Sequence, residues 1–316
     1  MRTSERAGPA GALEPGGPTG DADRPAFVLG GGGNLGALQV GMAYALVERD
    51  IRPGLIVGTS VGAINGAFLS SRADLDGIAE IARFWRSLRR SDILRFDAPT
   101  ALRGLVRRGG HLFDSSGLRS VLESFVGFER LEEAPIPLAV VATERGSRRA
   151  VVLESGDVVT ALLASSAVPR LLPPVAHGGT VLVDGSLAAD VPVRQALALG
   201  ATRLFVLPTM PGQVASARDG LDGTRTALSA QLHVIPAPRV RAPMADLRHT
   251  RRLLEIGYEH ALAWLDGLPT SERPGRRPSG RALARPDPDG RFSVPRPAAR
   301  VSARRPRRGR ARSPRA

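Results

Sequence analysis

The chain has 316 residues, 42% of them hydrophobic, and its 44 basic residues, every one an arginine, outnumber 30 acidic ones for a formal charge of +14. That much apolar material builds a core and excludes wholesale disorder, and the length allows one large domain or two small ones at about 150 residues each. The absence of cysteine excludes a disulfide framework, thiolate metal ligands and a cysteine nucleophile together.

Residues 1–24 mix Gly, Pro, Asp, Glu and Arg without the apolar stretch of about 7–15 residues that a signal peptide needs. No window of the chain reaches the roughly 18 uninterrupted apolar residues of a membrane span. The reading is a disordered N-terminal segment on a soluble, cytoplasmic protein.

An apolar run, Ala26–Leu29, predicts the first strand. It ends in four glycines, Gly30 to Gly33, continues through Asn34-Leu35-Gly36, and gives way to Leu38, Met42, Ala45 and Leu46 at helical spacing over Ala37–Arg49. This is strand, tight turn, helix, with the backbone N–H groups of the turn gathered at a helix N-terminus. A second unit repeats the form: Leu55–Val57, the turn Gly58-Thr59-Ser60-Val61-Gly62, and a helix over Ala63–Leu69. Two such units in succession imply parallel strands with right-handed crossovers.

Further strands are predicted at Leu138–Ala142, Ala150–Leu153, Val181–Val183 and Leu204–Leu207. Helices are predicted at Asp74–Leu88, Ser116–Val126, Asp157–Ser165, Pro192–Leu199 and Ala245–Asp266. The helix over 74–88 places Ile78, Ile81, Trp85 and Leu88 on one face, for core packing by default and membrane contact as the minority reading. The alternation argues one α/β domain over 25–268. Between Thr209 and Pro243 a proline-rich segment holds a short helix near Thr224–Leu232 and reads as a connection or as a lid.

From Pro269 to Ala316 there are 15 arginines and three acids, a net of +12, which leaves only +3 over 25–268. This stretch is rich in Pro, Gly and Ser and predicts disorder. A solvated tail is its plain reading. Its functional reading is an electrostatic tether to anionic lipid, holding the protein peripherally at the inner membrane surface, or to nucleic acid, with no specific nucleic acid partner predicted.

Two chemistries compete for the turns. Gly31, Gly33 and Gly36 satisfy the G-x-G-x-x-G pattern of a Rossmann-like dinucleotide site, yet the acid such a site needs, Asp50, precedes the second strand instead of ending it. The second turn is G-x-S-x-G between a strand and a helix, the arrangement of a nucleophile elbow. Gly58 and Gly62 are expected there because a Cβ at either would crowd the turn, and Ser60 would stand exposed above the sheet edge. The adjacent Gly31, Gly32 and Gly33 offer N–H donors for an oxyanion.

A serine needs a base. None of the five histidines, His111, His177, His233, His249 and His260, ends a predicted strand. Asp184 does: it follows Val181-Leu182-Val183, precedes Gly185-Ser186, and emerges at the same sheet edge as Ser60 if the strands are parallel. Asp184 reads equally as a turn former, and His177 and His260 remain alternatives as members of a triad.

The glycine loop, the elbow, the stretch Ala164-Ser165-Ser166-Ala167-Val168-Pro169 with Pro173-Pro174-Val175, and Asp184-Gly185-Ser186 with Asp190-Val191-Pro192-Val193 occur in this order over residues 25–210. Together they resemble the patatin-like phospholipase family. The resemblance implies a single three-layer α/β/α domain with a mainly parallel central sheet. It implies a dyad with Ser60 as nucleophile and Asp184 as base, an oxyanion hole from Gly31, Gly32 and Gly33, a lipid or acyl-ester substrate, and no metal or organic cofactor. The chain departs from the family pattern at Leu35, where a basic residue is usual, and at Ser186, where Gly or Ala is commoner. A non-catalytic member of the family is the other reading.

Overall fold

A computed structural model describes residues 23–94, 111–221, 230–240 and 246–269. The basic tail beyond 269 and nearly all of the N-terminal segment lie outside the described residues.

In chain order the strands are β1 (Pro25–Leu29), β2 (Leu55–Thr59), β3 (Leu138–Glu144), β4 (Ala150–Leu153), β5 (Val175–His177), β6 (Thr180–Val183), β7 (Arg203–Leu207) and β8 (Gln231–Val234). The helices are α1 (Gly36–Glu48), α2 (Val61–Ser71), α3 (Leu75–Ser87), α4 (Arg90–Ile93), α5 (Ser116–Phe125), α6 (Val158–Ser165), α7 (Ser186–Ala189), α8 (Val193–Ala198), α9 (Pro211–Asp219) and α10 (Thr250–Gly267). Hydrogen bonding links the strands into one sheet in the order β5-β6-β3-β2-β1-β7-β8, with β2 and β6 in line along one edge of β3 and β4 on its opposite edge.

The centre of the sheet is parallel: β1 pairs with β2 and β7, β2 with β3, and β7 with β8. Strands β1, β2, β3 and β7 are nearly continuous apolar runs because both faces are covered. On one face Ala26, Val28, Leu55, Val57, Leu204 and Val206 pack with Val193, Ala196 and Leu197 of α8 and Ala217 of α9. On the other, α1 and α2 lie against the sheet, and α3 and α10 cover α1 in turn. The architecture is therefore α/β, with helices layered on both faces of a mostly parallel sheet.

Sandwiched in this way, α1 is buried from Gly36 to Val47, the pattern of a helix apolar all round. Its approach to α10 is set by glycine on both sides. A Cβ on Gly41 would fall 2.1 Å from the Leu254 carbonyl oxygen, and one on Gly257 would fall 2.1 Å from that of Leu38. In α3, Ile78, Ile81 and Trp85 are buried, Leu88 just past its end is half-buried, and the Trp85 indole N–H donates to Asn65 Oδ1 at 2.9 Å. That face is core, which removes it from membrane contact.

Three expectations change. The strand before Asp184 is not parallel to that before Ser60: β6 runs antiparallel to β3, which itself runs parallel to β2. The predicted last helix begins late, since Leu247–His249 form a 3-10 turn ahead of α10. Of the short helix expected near 224–232, residues 224–229 lie outside the described residues, and Gln231 and Leu232 belong to β8. That strand forms because Arg203–Val206 offers an open parallel edge. The same proline-rich segment also supplies α9, with Pro211 in its first turn, where the missing proline N–H costs nothing.

Candidate active site

The serine sits where the sheet hands over to a helix. Strand β2 ends at Thr59, α2 starts at Val61, and Ser60 between them has φ 54° and ψ −125°, a sparsely populated backbone conformation for a residue with a side chain. The flanking glycines explain how the turn closes. A Cβ on Gly58 would fall 2.5 Å from the Gly62 carbonyl oxygen, and one on Gly62 would fall 2.3 Å from that of Leu29. The chain is held in this shape by α6: the Ser60 N–H donates to Ser165 Oγ at 2.8 Å, and the Ser165 hydroxyl donates to the Val141 carbonyl at 2.6 Å.

Ser60 Oγ donates to Asp184 Oδ2 at 2.7 Å. The pairing arises from β3, which outruns β2. Thr59 is opposite Val141, and further along the same edge of β3, Thr143 is opposite Val183. The C-terminal ends of β2 and β6 thus meet head to head on one edge of β3, and the residues just past them, Ser60 and Asp184, are brought together. Gly185 lies against this edge, with no room for a Cβ beside the Val141 carbonyl oxygen at 2.1 Å.

Asp184 is 1% exposed. Burial pushes its carboxyl above the ordinary range, the Ser186 hydroxyl and N–H and the Ser60 hydroxyl pull it back by hydrogen bonding, and the nearby Asp190 charge adds to the rise. Both carboxyl oxygens are engaged: Oδ2 faces Ser60, while Oδ1 accepts from the Ser186 N–H at 2.9 Å and from its hydroxyl. Ser186, the residue that departs from the family pattern, is therefore a direct partner of the aspartate.

The glycine loop faces this pair. A Cβ on Gly31 would lie 3.7 Å from Ser60 Cβ and 3.4 Å from Ser186 Cβ. The three expected donors are not equivalent, and Gly31 stands apart. Its N–H is already given to the Asp190 carbonyl at 3.1 Å, whereas the Gly32 and Gly33 N–H groups meet no backbone acceptor among the described residues. Leu35, in the position usually basic, is buried.

The histidine alternatives lie elsewhere: His177 ends β5, and His260 is on the exposed side of α10. Asp50 stands in the turn before β2, where it pairs with Arg52, so β2 ends without the acid a dinucleotide ribose would need. Among the described residues no group of three or more His, Asp or Glu side chains is arranged to hold a metal ion, and no helix is long and apolar enough to cross a membrane.

Sequence reasoning missed several residues around the loop. Asp190 is half-buried, and burial raises its carboxyl above the ordinary range, against hydrogen bonds from Gln213 and Gly31. Thr209 and Gln213 bond the Gly31 carbonyl from the far side. The spacing of Asp190 in the fourth block was the one available signal; Thr209 and Gln213 had none.

The family model for patatin-like phospholipases matches residues 27–197. An uncharacterized NTE family protein of Mycobacterium tuberculosis is 28% identical over 197 residues, 62% of this chain and 52% of that protein. A lysophospholipase, nte1, of Aspergillus terreus is 31% identical over 181 residues, 57% of this chain and 12% of that protein. Among solved structures, VipD from Legionella pneumophila aligns at a TM-score of 0.42 and 14% identity, over 77% of this chain and 67% of that one. The chain spans about half the length of the mycobacterial relatives it matches and about a tenth of the fungal one. Because the family match takes in more than half of the 316 residues, the chain belongs to the patatin-like phospholipase family.

Proposed function

We propose that the protein is a serine acyl hydrolase acting on lipid acyl esters, with Ser60 as nucleophile, Asp184 as general base, and the N–H groups of Gly32 and Gly33 holding the oxyanion. The observation that carries this reading is the 2.7 Å hydrogen bond from Ser60 Oγ to Asp184 Oδ2 at a strained elbow. The lipid substrate is supported by the family and by the lysophospholipase activity named for the fungal relatives.

In the first half-reaction Asp184 takes the Ser60 proton as Oγ bonds to the ester carbonyl carbon, and the carbonyl π pair moves to oxygen. Backbone donors fixed in place meet that charge without reorganisation, and the positive end of α2 adds to the field. Collapse breaks the bond to the leaving alcohol, which takes the proton from Asp184. Water then repeats the sequence on the acyl-enzyme, giving its proton to Asp184 and releasing the fatty acid with Ser60 reprotonated. A buried carboxyl with a raised affinity for protons is better matched to this role than a solvated one.

The test is hydrolysis of a p-nitrophenyl ester together with covalent labelling by a fluorophosphonate. Ser60→Ala is expected to remove both while the protein stays folded. Wild-type turnover in that variant would sink the assignment, and near-normal turnover in Asp184→Asn would redirect the search for a base.

A further inference from the structure

We propose that Gln213 is a positioning residue that fixes the direction of the Gly32 N–H, acting on the reaction through the oxyanion loop and not by touching substrate. The proposal rests on the reading of Ser60 as nucleophile and the glycine loop as oxyanion site.

The glycine loop has a physical weakness in that role. Glycines are the residues freest to rotate, while an oxyanion donor is effective only if it is already aimed when the charge develops. The loop has no side chains with which to hold itself, so its orientation must be imposed from outside.

Gln213, on α9, is 2% exposed and packs against Gly30, where a Cβ would fall 2.9 Å from its amide oxygen. Its amide nitrogen donates to the Gly31 carbonyl at 3.0 Å and to Asp190 Oδ2 at 2.9 Å. Its amide oxygen accepts from the Thr209 N–H at 2.7 Å, so its own orientation is fixed. The Thr209 hydroxyl donates to the Gly31 carbonyl as well. Asp190 closes the frame, since its carbonyl accepts the Gly31 N–H.

A trans peptide points its C=O and the next N–H in opposite directions. Two donors on the Gly31 carbonyl therefore lock the Gly31–Gly32 peptide plane and turn the Gly32 N–H away from Thr209 and Gln213. The same contact requires glycine at position 32, where φ is 146° and a Cβ would fall 2.2 Å from Thr209 Oγ1. A side chain that only filled space would not need both of its N–H groups directed at loop and acid.

The experiment measures kcat and KM separately on the p-nitrophenyl ester for the full chain. Gln213→Met keeps the length and removes the donors; Thr209→Val keeps the shape and removes one donor. Loss of an oxyanion donor outright costs about 10²–10³ in kcat, so a misdirected one is expected to cost about tenfold or more in Gln213→Met, less in Thr209→Val, with KM within about twofold in both. A fall in kcat at constant KM is what a merely structural residue would not give once thermal melting shows the variants folded at the assay temperature. Folded variants with wild-type kcat, or with only KM raised, would overturn the proposal. If Gln213→Met does not fold, Thr209→Val decides alone. Ser60→Ala run beside them separates the two ideas: activity retained there defeats the proposed function, whereas activity lost there but kept in both clamp variants defeats only the role of Gln213.

Discussion

Ser60 and Asp184 stand in hydrogen-bond contact at 2.7 Å although the strands that carry them run in opposite directions. The two strands end against each other on one edge of β3, so the contact depends on β3 extending past β2 and on Gly185 fitting against the Val141 carbonyl. The elbow and the aspartate are thus joined through a third strand.

Strain at the elbow is open to measurement. Ser60 holds φ 54°, where glycine is at ease and a Cβ is not, at a cost of about 1–3 kcal/mol. Ser60→Gly and Ser60→Ala both lose the hydroxyl, so their difference isolates the backbone. Ser60→Gly is expected to be more stable than Ser60→Ala by about 1 kcal/mol in chemical denaturation. Equal stabilities would show that the turn is relaxed.

The pH dependence follows from Asp184. The proposed base must be ionised to act, and burial holds the Asp184 carboxyl above the ordinary value. The acidic limb of kcat/KM should therefore lie above the usual aspartate range near 3.9, with activity falling as pH drops through it. Ser186→Ala removes the hydroxyl that bonds Asp184 Oδ1 but keeps the backbone N–H. The limb is expected to move to higher pH, and an unmoved pH–rate profile would count against the hydroxyl as a modulator of the base.

Asp190 gives a stability test with a definite sign. Burial raises its carboxyl, so the folded protein keeps that proton to higher pH than the unfolded chain does. Stability is then lost as pH rises from the unfolded value through the folded one. Asp190→Asn retains an acceptor for Gln213 and removes the charge. It is expected to raise the melting temperature at pH 7, to leave it unchanged near pH 3, and to shift the acidic limb of activity downward, because the Asp190 charge helps raise Asp184.

The glycine contact between α1 and α10 is expected to be intolerant. Gly257→Ala places a methyl against the Leu38 carbonyl, 2.1 Å from where its Cβ would stand, and backbone cannot yield as a side chain end does. A loss of about 1–3 kcal/mol is expected from such overpacking, read by urea denaturation. A neutral substitution would mean that the helices separate freely.

The parts of the fold that were legible in sequence are those written in short segments. Ala26–Leu29 and Leu55–Val57 read as buried strands because they are unbroken apolar runs between turns, and both stand at the centre of the sheet. Gly58 and Gly62 announced the elbow because a tight strand-to-helix turn leaves no room for a Cβ. Strand β8 and helix α9 were not legible. Gln231–Val234 is only partly buried and owes its extended form to the open edge of β7, while Pro211–Asp219 has neither a long apolar stripe nor an acidic first turn. The direction of β6 was also hidden, since a run of four residues, Thr180–Val183, carries no local signal of which way it pairs.

By itself the sequence determined the local chemistry: two strand–turn–helix units, a serine at a strained turn, a glycine loop beside it, an acid after an apolar run, and a charge of +14 that belongs mostly to the residues after 268. Those features depend on neighbours a few positions away, and sterics over that range are fixed by residue type. Only the tertiary structure decided that Asp184 reaches Ser60 across 124 positions, that the Gly31 N–H is given to the Asp190 carbonyl, and that Gln213, 182 positions from Gly31, donates to its carbonyl. Each of these is a hydrogen bond between distant segments, and its existence depends on which strand ends meet and which buried polar groups must be satisfied once they do.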